Sequence, residues 1–203
     1  MVSALPLRVA VLGSGTGTNA EALIEHGLQP GSSYRIVLVV STRPDAGITD
    51  VARRLGVPLC ILPPSDWEAA LIGALHDNGI AILALAGFMR KISPQVIDSL
   101  HGRVVNIHPA LLPNHGGKGM YGIHVHRAVI AATEALSGAT VHLVTEEYDQ
   151  GSIIAQASVK VFEDDTPEQL QDRVKHLEHV LYPRALEQYA KRVAIEESGQ
   201  ENR

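Results

Sequence analysis

Two side chains two residues apart, Asn106 and His108, close the apolar run Arg103-Val104-Val105-Asn106-Ile107-His108, immediately before Pro109. Residues i and i+2 of a strand point to one face, so the amide and the imidazole should look into the same space. Pro109 cannot extend a ladder, which places the pair at the strand's end. An amide N–H can hold a developing oxyanion, and an imidazole can pass a proton near neutral pH. The same pair could equally be two polar groups satisfied at a strand end, and their spacing alone does not decide. A second candidate is Gly13-Ser14-Gly15-Thr16-Gly17-Thr18-Asn19. Its glycines let the backbone turn its N–H groups outward, and a helix N-terminus behind it adds partial positive charge, a combination suited to phosphate. No Gly-Lys-Ser/Thr follows, so this is not a P-loop, and the third glycine of a dinucleotide fingerprint is replaced by Thr18. Ser41-Thr42-Arg43, after the second apolar run, would suit an NADP ribose phosphate and keeps a dinucleotide open.

The elements that position these residues alternate. Strands are expected at 7–12, 35–40, 59–62 and 80–86, with helices at about 18–26, 48–55, 66–76 and 94–100, and the Asn106/His108 strand following. Repeated strand–helix–strand units mean a doubly wound, mostly parallel, Rossmann-like α/β sheet, whose ligands sit beyond the carboxyl ends of its strands. Both candidate motifs fall there. After a helix at 123–131, the segments 140–144 and 153–162 alternate: Ile153, Ala155, Ala157, Val159 and Val161 share one face, and Gln156, Ser158 and Lys160 the other. Half-exposed, antiparallel C-terminal edge strands follow. Thr166-Pro167-Glu168-Gln169 reads as a capping box opening a long C-terminal helix through Leu170, Val174, Leu177 and Leu181, with a kink expected at Pro183. The chain reads as one domain over 1–203, with frayed tails at about 1–6 and 192–203.

Composition narrows the function classes. The chain has 203 residues, is 45% hydrophobic and 19% charged, and carries a formal net charge of -5. A globally acidic chain is a poor nucleic-acid binder, although a local cationic pocket for a phosphorylated small molecule remains compatible with it. The single Cys60, in an apolar run, cannot form an internal disulfide, which points to a reducing, cytoplasmic setting. The start lacks a signal-peptide pattern, and the longest apolar run, Ile80 to Met89, is too short to span a bilayer. Ten histidines raise the question of a metal. His124 and His126 would lie on nearly opposite sides of their helix, and His176 and His179 lack carboxylate or thiolate companions, so no metal is expected. His142, on a strand, reads as structural.

Taken together, the motifs resemble the folate-dependent formyltransferase family, and within it the phosphoribosylglycinamide formyltransferases. The resemblance covers nearly the whole chain. It runs through Gly15-Thr16-Gly17-Thr18-Asn19, Ala86-Gly87-Phe88-Met89-Arg90, Asn106-Ile107-His108-Pro109-Ala110-Leu111-Leu112-Pro113, Gly138-Ala139-Thr140-Val141-His142-Leu143-Val144, Asp149-Gln150-Gly151 and Arg173-Val174-Lys175-His176-Leu177-Glu178-His179. It implies transfer of a formyl group from 10-formyltetrahydrofolate, as co-substrate, to the amine of 5'-phosphoribosylglycinamide in de novo purine biosynthesis. It further implies that Asn106, His108 and Asp149 are catalytic. Gly17, Thr18 and Asn19 would hold the ribonucleotide phosphate, and Lys175 and Glu178 would contact the same substrate. Met89, Arg90, Lys91 and Ile92 would line the folate site with Asn106, Val144 and Thr145. Partners would be small molecules, with no nucleic acid and no membrane, and the protein a monomer or homodimer.

The chemistry expected of these residues is consistent. A carboxylate at position 149 would favour the charged form of His108 and raise its pKa. Alone, Lys175 and Glu178, three apart on a helix, would suggest only a weak surface ion pair. Two features depart from the family pattern. Asn114 to Gly122 is longer, and its four glycines suit either a lid or a passive surface loop. Ser65-Asp66-Trp67 stands where many members carry an arginine, which puts one folate contact in question. Methionyl-tRNA formyltransferases need an added RNA-binding domain, for which the chain has neither length nor positive charge. Formyltetrahydrofolate deformylases usually carry an N-terminal regulatory domain, and often a second histidine where this chain has Pro109. An NADP-binding reductase and a non-catalytic nucleotide-binding module are the alternatives from other classes.

Overall fold

The apolar runs of the sequence become one sheet. The computed structural model describes residues 5–201. Its strands are β1 (Leu7–Leu12), β2 (Tyr34–Ser41), β3 (Leu59–Ile61), β4 (Ile82–Leu85), β5 (Val104–His108), β6 (Leu136–Leu143) and β7 (Ile153–Lys160). Its helices are α1 (Thr18–Gly27), α2 (Gly47–Arg54), α3 (Trp67–Asp77), α4 (Pro94–Ser99), α5 (Ile123–Ala131) and α6 (Pro167–Glu201). The strand order is β3-β2-β1-β4-β5-β6-β7. Strands β1 to β5 pair in parallel, while β5–β6 and β6–β7 pair antiparallel.

Alternation along the central strands divides two cores. Val9, Val11, Ala84 and Val105 face Leu23 of α1 and Leu170, Val174 and Leu186 of α6. Ala10, Leu12, Leu83 and Val104 face Leu71 and Leu75 of α3 and Val96 of α4. Strands covered on both faces need apolar residues at every position, which is why Ile82–Leu85 is buried throughout. The order reverses between β1 and β4, opening a crevice at their carboxyl ends. The loops after β1, β4 and β5 all open into it.

Two boundaries differ most from those expected. Strand β6 starts at Leu136 rather than Thr140, because its first turn is small rather than alternating. A Cβ at Gly138 would collide with the Ala157 carbonyl and come within 2.7 Å of Leu111 Cδ2, so only glycine lets β7 and the segment after β5 close on β6. Helix α6 continues to Glu201 instead of fraying from 192, since Val193 is buried and Glu197 pairs with Arg103. Residues 1–4 and 202–203 of the expected tails lie outside the described residues. The helix also runs through Pro183 without interruption.

The start of α6 is the capping box read from the sequence. The Thr166 N–H donates to Gln169 Oε1 at 2.8 Å, and the Gln169 N–H donates to Thr166 Oγ1 at 3.2 Å. Thr166→Ala should therefore cost about 1 kcal/mol, a Tm loss of about 2–4 °C for a chain of this size. An unchanged Tm in calorimetry would mean that packing alone fixes the helix start.

Candidate active site

Register places the polar side chains of β5 and β6 together. Asn106 and His108 share a face of β5, and across the antiparallel ladder they sit opposite His142 and Thr140 of β6. Directly opposed residues project to the same side of a sheet, so His142 belongs to the site and is not the structural histidine expected from its strand. Its Nδ1 lies 2.8 Å from the Leu143 carbonyl and so carries the proton, which leaves Nε2 to accept the Asn106 amide N–H at 3.2 Å. Thr140 Oγ1 donates to the Ala110 carbonyl at 2.6 Å and accepts from the Leu112 N–H at 3.1 Å, which anchors the chain leaving β5.

Asp149 arrives from the β6–β7 turn. Its Oδ2 lies 3.5 Å from His108 Nδ1, and its Oδ1 lies 3.6 Å from His142 Nε2. Oδ2 also accepts the Gly117 N–H at 2.9 Å. The turn folds this tightly because of Gly151, where a Cβ would collide with the Leu143 carbonyl. The other ring nitrogen of His108, Nε2, donates to the His115 carbonyl at 2.8 Å. The glycine-rich segment 114–122 is thus fastened to His108 and Asp149 through its backbone, and is not a passive surface loop. Asp149 and His115 are both left-handed, with φ of 57° and 54°. Such conformations cost a non-glycine residue on the order of 1 kcal/mol, and they gather at functional sites.

Burial decides the electrostatics of the centre. The His108 pKa lies below the usual histidine value: loss of solvent lowers it, and the Asp149 charge and the His115 carbonyl oppose this without prevailing. The expectation that Asp149 would lift it above that value is therefore corrected. The direction of the carboxylate's effect is as expected, but desolvation is larger. Burial raises the pKa of Asp149, yet contact with His142, the His108 charge and the Gly117 N–H together hold it below the usual carboxylate value.

These groups open onto a cavity of about 1040 Å³ that reaches from the glycine loop to the segment after β4. That lies at the upper end of the roughly 300–1,000 Å³ of common small-molecule pockets. At one end Gly17 caps α1 in a left-handed conformation without any side-chain capping bond, leaving the first helical N–H groups at Thr18 and Asn19 for a ligand. One N–H of the Asn19 side chain is committed, since Nδ2 donates to Glu178 Oε2 at 2.8 Å. Glu178 is no surface ion-pair partner: burial pushes its pKa up to about 7, against the Asn19 hydrogen bond and the Lys175 charge. At the other end Met89, Arg90, Lys91 and Ile92 face Val144 and Thr145. Arg90 lies over the Trp67 ring at 5.7 Å, and Trp67 packs against Phe88 at 5.5 Å, so the position in question at 65–67 holds an aromatic support for a cation. Arg43 is engaged by Asp45 at 2.8 and 3.2 Å, which leaves the expected ribose-phosphate grip already paired. Sequence reasoning missed two lining residues: His126, buried on α5 and weighed only as a metal ligand, and Tyr148, which sits under Lys91.

Known proteins resemble the chain over most of its length. A family profile described as formyl transferase matches residues 7–186. The chain is 42% identical over 183 residues to the chloroplastic phosphoribosylglycinamide formyltransferase of Arabidopsis thaliana, an alignment covering 86% of this chain and 62% of that protein. It is 40% identical over 189 residues to the trifunctional purine biosynthetic protein adenosine-3 of Gallus gallus, covering 89% of this chain and 18% of that one. The chain thus spans less than two thirds of the length of these curated relatives. The crystal structure of the phosphoribosylglycinamide formyltransferase of Brucella melitensis matches it with a TM-score of 0.85 and 40% identity, over 92% of this chain and 96% of that one.

The glycine loop offers a direct check of this geometry. A Cβ at Gly17, where φ is +83°, would meet Ile48 Cα at 2.6 Å, whereas one at Gly15 would meet nothing within 4 Å. Gly17→Ala should destabilise the protein by roughly 1–3 kcal/mol, and Gly15→Ala by less than about 0.5 kcal/mol. Equal losses in denaturant titrations would show that the loop is not packed against α2 as described.

Proposed function

Because the chain belongs to the formyl transferase family, we propose that it transfers the formyl group of 10-formyltetrahydrofolate to the amine of 5'-phosphoribosylglycinamide. The products are formylglycinamide ribonucleotide and tetrahydrofolate, a step of de novo purine synthesis. The observation that carries this reading is the convergence of Asn106, His108 and Asp149 in one cavity that the glycine loop and the 89–92 segment also line. The donor supplies an activated formyl group, and the chain's own residues do the rest.

The ribonucleotide phosphate takes the N–H groups at the start of α1, with Lys175 adding charge, and Glu178 accepts hydrogen bonds from the sugar hydroxyls. Folate lies along Met89 to Ile92, with Val144 and Thr145 opposite and largely backbone contacts. As the amine attacks, negative charge grows on the formyl oxygen. Asn106 Nδ2 has a second N–H beyond the one given to His142, and it stabilises that charge. The proton that His108 gives to the His115 carbonyl is the one the formyl oxygen takes over, so segment 114–122 yields when both substrates are bound. The new bond joins the amine nitrogen to the formyl carbon, the bond from that carbon to folate nitrogen breaks, and the amine's proton passes to folate by way of water, His108 and Asp149.

A single catalytic domain over 1–203, acting as monomer or homodimer on small molecules in the cytoplasm, accords with this reading. No helix among the described residues is long and apolar enough to cross a membrane, and Cys60 is a free thiol. The test supplies labelled formyl-folate with glycinamide ribonucleotide, with charged initiator tRNA, or with no acceptor. Label should reach glycinamide ribonucleotide alone. Asn106→Ala should then lower kcat by about 10²–10³-fold with little change in either KM. Formyl-tRNA, or formate released equally fast without an acceptor, would overturn the assignment, and a loss confined to KM would make Asn106 a binding residue.

A further inference from the structure

His126 lines the same cavity and has no part in the chemistry just described. It lies one turn inside α5 and is 1% exposed. Neither of its ring nitrogens has a hydrogen-bond partner among the described residues, and Nδ1 is sealed completely. Its helix neighbour His124 is different in kind, being exposed and packed edge-on against Tyr121 at 5.6 Å. A buried polar atom without a partner costs stability that a leucine of similar bulk would not. Burial and the nearby His108 hold the His126 pKa at about 4, so at neutral pH the ring is uncharged and keeps one lone pair.

The reaction calls for such a group. An amine nucleophile must have its N–H bonds held so that its own lone pair points at the carbon it attacks. The centre is otherwise rich in donors, since Asn106 Nδ2 and a protonated His108 both give hydrogen bonds. Asp149 Oδ2 already accepts the Gly117 N–H and lies 3.5 Å from His108 Nδ1, its Oδ1 lies 3.6 Å from His142 Nε2, and Glu178 is taken by Asn19 and the sugar hydroxyls. Resting on the reading of this chain as a glycinamide ribonucleotide formyltransferase, we propose that His126 is the acceptor-positioning residue. Its neutral imidazole accepts a hydrogen bond from the glycinamide amine and turns the amine lone pair toward the formyl carbon.

The test uses His126→Leu and His126→Gln in the full chain, with the wild-type protein first shown to formylate glycinamide ribonucleotide. If it does not, the functional reading fails and not this assignment. His126→Leu should keep or raise Tm, because an unpaired polar group is removed, while kcat/KM for transfer falls by about ten- to a hundredfold. His126→Gln, whose side-chain carbonyl can accept the same bond, should recover most of that loss. The decisive readout compares binding of glycinamide ribonucleotide with its acetamide analogue, which lacks the amine. The affinity gap between the two should collapse in His126→Leu and return in His126→Gln. Transfer within about twofold of wild type in His126→Leu, or a loss that weakens both acceptors equally and leaves the gap unchanged, would overturn the proposal.

Discussion

The carboxylate of Asp149 is the point on which the site depends, because it meets three pieces of chain at once. One oxygen faces His142 on β6, and the other faces His108 on β5 and accepts the N–H of Gly117 from the loop before α5. Without it, β5 and β6 would still be paired by their ladder. The imidazoles, however, would lose the charge they face, and segment 114–122 would lose one of the hydrogen bonds that fasten it. The cost of this arrangement is local. Asp149 and His115 are both held at positive φ, and Gly151 must be a glycine for the turn to reach back to β6.

The balance at His108 is between solvent loss and charge. The ring is buried at the end of an interior strand, and burial favours its uncharged form. Asp149 and the His115 carbonyl supply the opposing stabilisation of the charged form. The outcome is a histidine poised between states, neutral in the free protein and open to protonation when further negative charge develops beside it. A reacting formyl oxygen would be such a charge. A centre of this kind needs its carboxylate to remain ionised, and the low pKa of Asp149 meets that need.

Much of the architecture was legible in the chain because it follows from local periodicity. Continuous apolar runs marked the doubly covered strands, alternation marked β7, and Thr166-Pro167-Glu168-Gln169 announced its helix with the bonds that form it. The Asn106/His108 pair was legible for the same reason, since i and i+2 fix a common face. What could not be read depended on contacts between distant segments. His142 enters the site through the β5–β6 register, which no window of sequence contains. The Glu178 carboxylate meets Asn19 only because α6 crosses α1, and so it reads in isolation as half of a surface ion pair. The pKa of His108 was read in the wrong direction because sequence revealed its charged partner but not its burial. His126 was weighed only as a metal ligand, as a histidine on a helix does not name what lies beyond the face it occupies.

The central claim is that burial holds the His108 pKa down while Asp149 holds it up, and the direct measurement is the titration of the His108 ring by NMR in the wild-type protein and in Asp149→Asn. A pKa depressed in the folded state means that the proton is bound only below about 6.5, the value for an unperturbed histidine. Removing the carboxylate charge takes away the opposing stabilisation and must depress it further. The account predicts a midpoint below 6.5 in the wild-type protein and a lower one in Asp149→Asn. A wild-type midpoint at or above 6.5, or one that does not move when the charge is removed, would contradict it.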